Sequence, residues 1–262
     1  MNNTGFVKSD VKQLIIVAIA TLAVIIFSNI IHFNSVYPQF GNLSTNSSLN
    51  LSSLLSSMVK PVSGTYDNPT LGFRIELPPG WNGTEMNVLT NMVIARPDGS
   101  GSLSKSGIPQ SSLGENHAMM TIIGLDRKTF DTLKNITQSM QFSANSSSMT
   151  NMMDQYKKDA KCTKTVDSPV VINGVTGQQI SYDCKGPLFA GKIRGYVFAT
   201  KDDSLITVSF FGNSTSGYDK YLPQFEDSVK TLKISNPTNV QTSPIFQEYQ
   251  KFAGLYNQSV AG

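Results

Sequence analysis

Histidine and cysteine each occur only twice in these 262 residues, as His32 with His117 and Cys162 with Cys184, and tryptophan occurs once, at Trp81. That scarcity excludes much chemistry. His32 falls inside an apolar run, which leaves His117 as the one histidine after it, too few for a Ser/His/Asp set or a zinc cluster of Cys and His ligands. The two cysteines form no CxxC pair, and no glycine-rich loop stands between a strand pattern and a helix pattern, where a phosphate would be cradled. Charge is thin too. Charged residues make up 15% of the chain and sum to +3, and the basic ones do not cluster, so no nucleic-acid partner is expected. Asp202 and Asp203 adjoin, but two acids without further oxygens at ligand spacing read as a solvated turn. No catalytic residue, metal ligand or cofactor is assigned from the sequence.

What is present begins with Leu14 to Phe33, which contains no Asp, Glu, Lys or Arg and is broken only by Thr21, Ser28, Asn29 and His32. A helix of about 20 residues spans the roughly 30 Å hydrocarbon core of a bilayer. Lys8 and Lys12 precede the run, and no charge follows it until Lys60, a bias that sets the N-terminus inside and the C-terminus outside. The expected order is a cytoplasmic tail at 1–13, a transmembrane anchor at 14–33 in contact with membrane lipid, and an extracellular remainder on a single-pass plasma-membrane protein. A cleaved signal peptide is the alternative; the length of the run and the lack of an Ala-x-Ala site after it favour retention.

Residues 34–65 are rich in Ser, Asn and Thr and read as a tether. Asn-x-Ser/Thr sequons start there, at Asn42, Asn46 and Asn50, and continue at Asn82, Asn135, Asn145, Asn213 and Asn257, all on the side expected to be exported. They are the glycosylation candidates.

The folded domain is expected at 66–234. Phe73, Ile75 and Leu77 alternate with Arg74 and Glu76, the period of a half-buried strand, and Pro78, Pro79 and Gly80 end it before Trp81. A lone Trp there reads first as a lid on the core, and second as a ligand platform. Val88 to Ala95 and Ala118 to Ile123 read as strands flanking a polar loop at 99–116. Phe130, Leu133, Ile136 and Met140 share a helical face, with the start expected near Lys128 or Thr129. A second helix is expected at 149–158, where Met149, Met152, Met153 and Tyr156 read as packing rather than as a copper site. Val170 to Asp183 reads as a hairpin around Asn173-Gly174. A two-residue turn there pairs positions summing to 347, whereas the cysteines sum to 346. A Cys162–Cys184 disulfide therefore needs one extra residue on one strand, for which Ser168-Pro169 offers a natural place. Gly191 to Thr200 and Leu205 to Phe211 are two more strands, and an amphipathic helix is expected at 223–232, with Pro223 in its first turn. Residues 235–262 are expected to be a polar tail with a short helix from Ile245 to Tyr256. The fold class is α+β: an antiparallel sheet flanked by helices, an α/β/α sandwich preceded by one transmembrane helix.

Three stretches, GFRIELPPGW (Gly72 to Trp81), SPVVINGVTGQQISY (Ser168 to Tyr182) and YDKYLPQFEDSVKTLKI (Tyr218 to Ile234), together resemble the PsbP-like family and its Mog1-type sandwich. The resemblance implies an antiparallel sheet between helices in an extracytoplasmic accessory protein. It supplies no catalytic motif to place on residues here. The anchor, tether, sequons and cysteine pair depart from the photosynthetic members, so their photosystem role is not carried over. That combination resembles surface proteins of ammonia-oxidising archaea.

The function expected is a non-catalytic domain held at the membrane that binds or stabilises a membrane-associated protein complex or a small ligand. A hydrolase built on Glu76, Glu85, Asp98 and Glu115 is the first alternative. Ion or solute binding near Glu115 and His117, with Trp81 as a further ligand candidate, is the second.

Overall fold

The computed structural model describes residues 59–87, 90–97, 118–143, 162–185, 190–212 and 215–258. Leu14 to Phe33, the 99–116 loop and the helix expected at 149–158 lie outside them. Among the described residues no helix is long and apolar enough to cross a membrane.

The centre is a nine-stranded sheet. Its strands are β1 (Val59–Ser63), β4 (Asn82–Asn87), β5 (Asn91–Arg96), β6 (Ala118–Leu125), β7 (Cys162–Ile172), β8 (Val175–Lys185), β9 (Ala190–Thr200), β10 (Leu205–Gly212) and β12 (Pro237–Thr238). They run in the order β1-β4-β5-β6-β10-β9-β8-β7, with β12 added to the end of β9, and every pairing is antiparallel. A small sheet of β2 (Thr65–Asn68), β3 (Phe73–Glu76) and β11 (Lys233–Ile234) lies apart. The helices are α1 (Arg127–Ser143), α2 (Thr215–Lys230) and α3 (Pro244–Gln258).

Alternation along the strands divides the apolar residues between two cores. Ile206, Val208 and Phe210 of β10, with Tyr196 and Phe198 of β9, meet Phe225 and Val229 of α2 and Phe73 and Ile75 of β3. Their neighbours Leu205, Phe211, Val197 and Ala199 point the other way, onto Phe130 of α1 and Ile245, Phe246 and Tyr249 of α3. The antiparallel sheet between helices is thus the architecture, with the small sheet sharing the α2 side.

The Asn173-Gly174 turn is in place, with φ of 51° and 78°, the left-handed pair a two-residue hairpin requires. The extra residue is also present, but at another position. The register holds at 347 from Ile172↔Val175 back to Val166↔Ser181 and shifts between Lys164 and Val166, so Thr165 is the bulge. Pro169 causes no irregularity. Counting back from the turn, it occupies a position whose nitrogen faces away from β8, where an N–H is not missed.

Other boundaries differ for physical reasons. α1 begins at Arg127, not Lys128 or Thr129, because Asp126 caps it: Oδ1 accepts from the Thr129 N–H at 2.6 Å. α2 begins at Thr215 and contains Pro223, which is exposed, so the bond lost at the Asp219 carbonyl falls on the hydrated face. β4 was unexpected: Asn82-Gly83-Thr84-Glu85-Met86-Asn87 is too polar to read as a strand, yet it pairs along its length with both β1 and β5. β1 lies within the 34–65 stretch, so the folded unit starts earlier than residue 66. The expected tail at 235–262 is, over 235–258, part of the fold. β12 pairs with β9, and α3 places Ile245, Phe246 and Tyr249 in the second core.

Candidate functional site

Trp81 follows the Pro78-Pro79-Gly80 turn and is 2% exposed. Its ring lies 5.8 Å from that of Tyr221 and 6.3 Å from that of Phe210, and its Nε1–H donates to Gln224 Oε1 at 2.9 Å. α2 therefore covers it. Glu115 and His117, the other ligand candidates, lie outside the described residues, as does Asp98. Asn82 on β4 and Asn135 on α1 are exposed, and Asn257 falls in the last turn of α3. Asn42, Asn46, Asn50, Asn145 and Asn213 lie outside. Cys162 and Cys184 are directly opposed across β7 and β8 and joined in a disulfide.

Of the carboxylates considered for hydrolysis, Glu85 is bound into a polar chain under the small sheet. Asn68 Nδ2 donates to Tyr66 Oη at 3.1 Å, Tyr66 Oη donates to Glu85 Oε1 at 3.2 Å, and Asn87 Nδ2 donates to the same oxygen at 3.2 Å. Burial pushes the Tyr66 phenol up to about 12, with the Glu85 carboxylate adding to the rise. Tyr66 is thus a protonated donor across the physiological range. Glu76 is exposed on β3, and its main chain is held by the end of α2 and the residue after it: the Glu76 N–H donates to Thr231 Oγ1 at 2.8 Å, and Ser228 Oγ donates to its carbonyl.

Two charge clusters escaped the sequence reading, and the larger one did so because its members come from distant elements. Arg127 at the start of α1 donates from Nε to Asp203 at 2.6 Å and from Nη1 to Glu248 of α3 at 2.5 Å, and Lys134 donates to the other oxygen of Glu248. The remaining Asp203 oxygen accepts the Ile245 N–H at 3.0 Å. Hydrogen bonds from Lys134 and Arg127 hold the Glu248 carboxyl below its ordinary range, and the bond to Asp203 holds the Arg127 guanidinium up. The cluster ties α1, the β9–β10 turn and α3 together, so Asp203 serves a junction rather than a merely solvated turn. On β7 and β8, Asp167 accepts from Lys164 at 3.3 Å and from Gln178, whose Oε1 accepts from Gln241 at 2.5 Å. Among the described residues no group of three or more His, Cys, Asp or Glu side chains is placed to hold a metal.

No family model matches the chain, and no curated protein matches it. Solved structures similar to it include cyanobacterial PsbP (CyanoP) from Synechocystis sp. PCC 6803, at 10% identity over 74% of this chain and 99% of that one, with a TM-score of 0.39. Another is a protein of unknown function from Pseudomonas aeruginosa, PA94, a putative regulator, at 10% identity over 66% and 97%, with a TM-score of 0.33. The first bears the name of the family that the three sequence stretches resemble. At these values the likeness is one of outline, and no functional argument is drawn from it.

Proposed function

We propose that this chain is a PsbP-like accessory protein of the archaeal surface type, held in the plasma membrane by residues 14–33 with its N-terminus in the cytoplasm. Its folded unit faces the exterior and binds or steadies a membrane-associated protein complex. The observation that supports this best is the Cys162–Cys184 disulfide, which belongs to an oxidising compartment and lies downstream of an uncharged, membrane-length run. The described charged side chains add support. Arg127, Lys134, Asp203 and Glu248 serve contacts between elements of the fold.

Mild crosslinking and affinity capture from native membranes tests the partner. A defined set of membrane proteins recovered with the chain is the expected result; recovery of the chain alone, with and without crosslinker, overturns the complex reading. Protease treatment of sealed cells tests the orientation independently. Digestion of residues 59–258 from outside is expected, and their full protection removes the external display.

A further inference from the structure

The tip of the β7–β8 hairpin holds chemistry that the accessory role does not use. Asn173 and Gly174 are both exposed there, and Asn173 Nδ2 donates to the carbonyl oxygens of Lys230 at 2.5 Å and Leu232 at 2.9 Å. Lys230 is the last residue of α2, where the peptide dipoles gather negative charge and the final acceptors lack helical partners, and Leu232 lies two residues past it. One amide group therefore latches the hairpin to the helix that covers the first core.

An Asn-Gly pair is also where a side-chain amide reacts most readily with its own backbone, because glycine carries no side chain to shield its nitrogen. We propose that Asn173 is a site of spontaneous deamidation and that its conversion releases this latch. The Gly174 nitrogen attacks Cγ of Asn173, the Cγ–Nδ2 bond breaks and ammonia leaves with a proton from the Gly174 nitrogen, giving a succinimide. Water then opens the ring to aspartate or isoaspartate, so the only co-reactant is water, and no electron is gained or lost. Nδ2 is the donor of both latch bonds, and the carboxylate that replaces it faces two carbonyl oxygens with no proton to offer. The same two bonds restrain the amide in the native state, so conversion is slower in the folded protein than in the unfolded chain. The latch works in one direction.

The test is incubation of the full chain in detergent at mildly alkaline pH, folded and in urea, followed by peptide mass spectrometry and enzymatic isoaspartate labelling. Aspartate and isoaspartate at 173 are expected in both samples, more slowly in the folded one, and the converted protein melts at a lower temperature than the unconverted. The idea fails if the folded protein shows no conversion while the urea sample converts, or if converted and unconverted proteins melt alike. Asn173→Asp and Asn173→Ala separate charge from bond loss. Asn173→Asp is expected to melt lower than Asn173→Ala at neutral pH and to recover in acid, where a protonated carboxyl can donate to one of the carbonyls. Equal melting of the two at both pH values overturns the electrostatic part.

Discussion

Glycine at two positions lets neighbouring groups come close. A Cβ on Gly177 would meet two carbons of the Phe198 ring at 2.6 Å and the Val197 carbonyl at 2.8 Å, whereas one on Gly124 would meet the movable tip of Leu71 at 2.1 Å. Gly177→Ala is therefore expected to cost about 1–3 kcal/mol by urea unfolding and Gly124→Ala less, since a leucine tip can turn aside and a ring against backbone cannot. Glu248 gives a pH signature. Its carboxyl is held low in the fold by Lys134 and Arg127, so its stabilisation is fully present above the unfolded glutamate range and fades as pH falls through the lowered folded value. The stability difference between the native chain and Glu248→Gln should shrink on acidification, as read by melts across a pH series; a difference constant with pH would show that the pair contributes nothing by charge. None of this was visible in the sequence, because Arg127 and Glu248 are 121 positions apart and nothing in either neighbourhood names the other.

Among the elements, the β7–β8 hairpin was the most readable and also shows where reading stops. The Asn-Gly turn and the position of the cysteines required one inserted residue, and one is there. Its place, Thr165 rather than Ser168-Pro169, depends on which backbone groups face the neighbouring strand, which composition does not record. The bulge matters because a shift of one residue turns every following side chain to the opposite face. Paired in line without a bulge, Cys162 would stand opposite Lys185; deleting Thr165 should instead leave a regular ladder in which Cys162 still faces Cys184, so the deletion variant is expected to form the disulfide. Two alkylatable thiols in a folded deletion variant would refute this register. In the intact hairpin, reducing the disulfide is expected to cost about 3 kcal/mol in a denaturant melt. β4 shows the opposite case. Its pattern is polar because its strand character is imposed by β1 and β5 on either side, a tertiary override of propensity.

On the scale of the whole molecule, the sheet serves two cores, and the second is closed by the C-terminal segment that the sequence presents as a tail. Ile245 and Phe246 stand in an otherwise Asn-, Gln- and Ser-rich stretch, and their destination becomes apparent only once Val197, Ala199 and Leu205 are seen on the far face of the sheet. A chain ending at Ile234 should expose that face and aggregate or bind a hydrophobic dye; a soluble, cooperatively unfolding product of that length would show that the α3 layer is dispensable. The class of fold followed from the order of strand and helix patterns, whereas the site remained obscure because no described residue cluster carries a recognisable chemistry.

The outermost described strands, β1 and β7, carry Pro61 and Pro169. Each proline leaves a gap in the ladder that an incoming strand would need, so the sheet is closed to lengthening at both rims. Neighbouring copies of the fold cannot zip into a fibre through the backbones of these two strands. A partner meeting either of these rims would have to be recognised by side chains, so its identity could change by a few substitutions while the scaffold stays as it is.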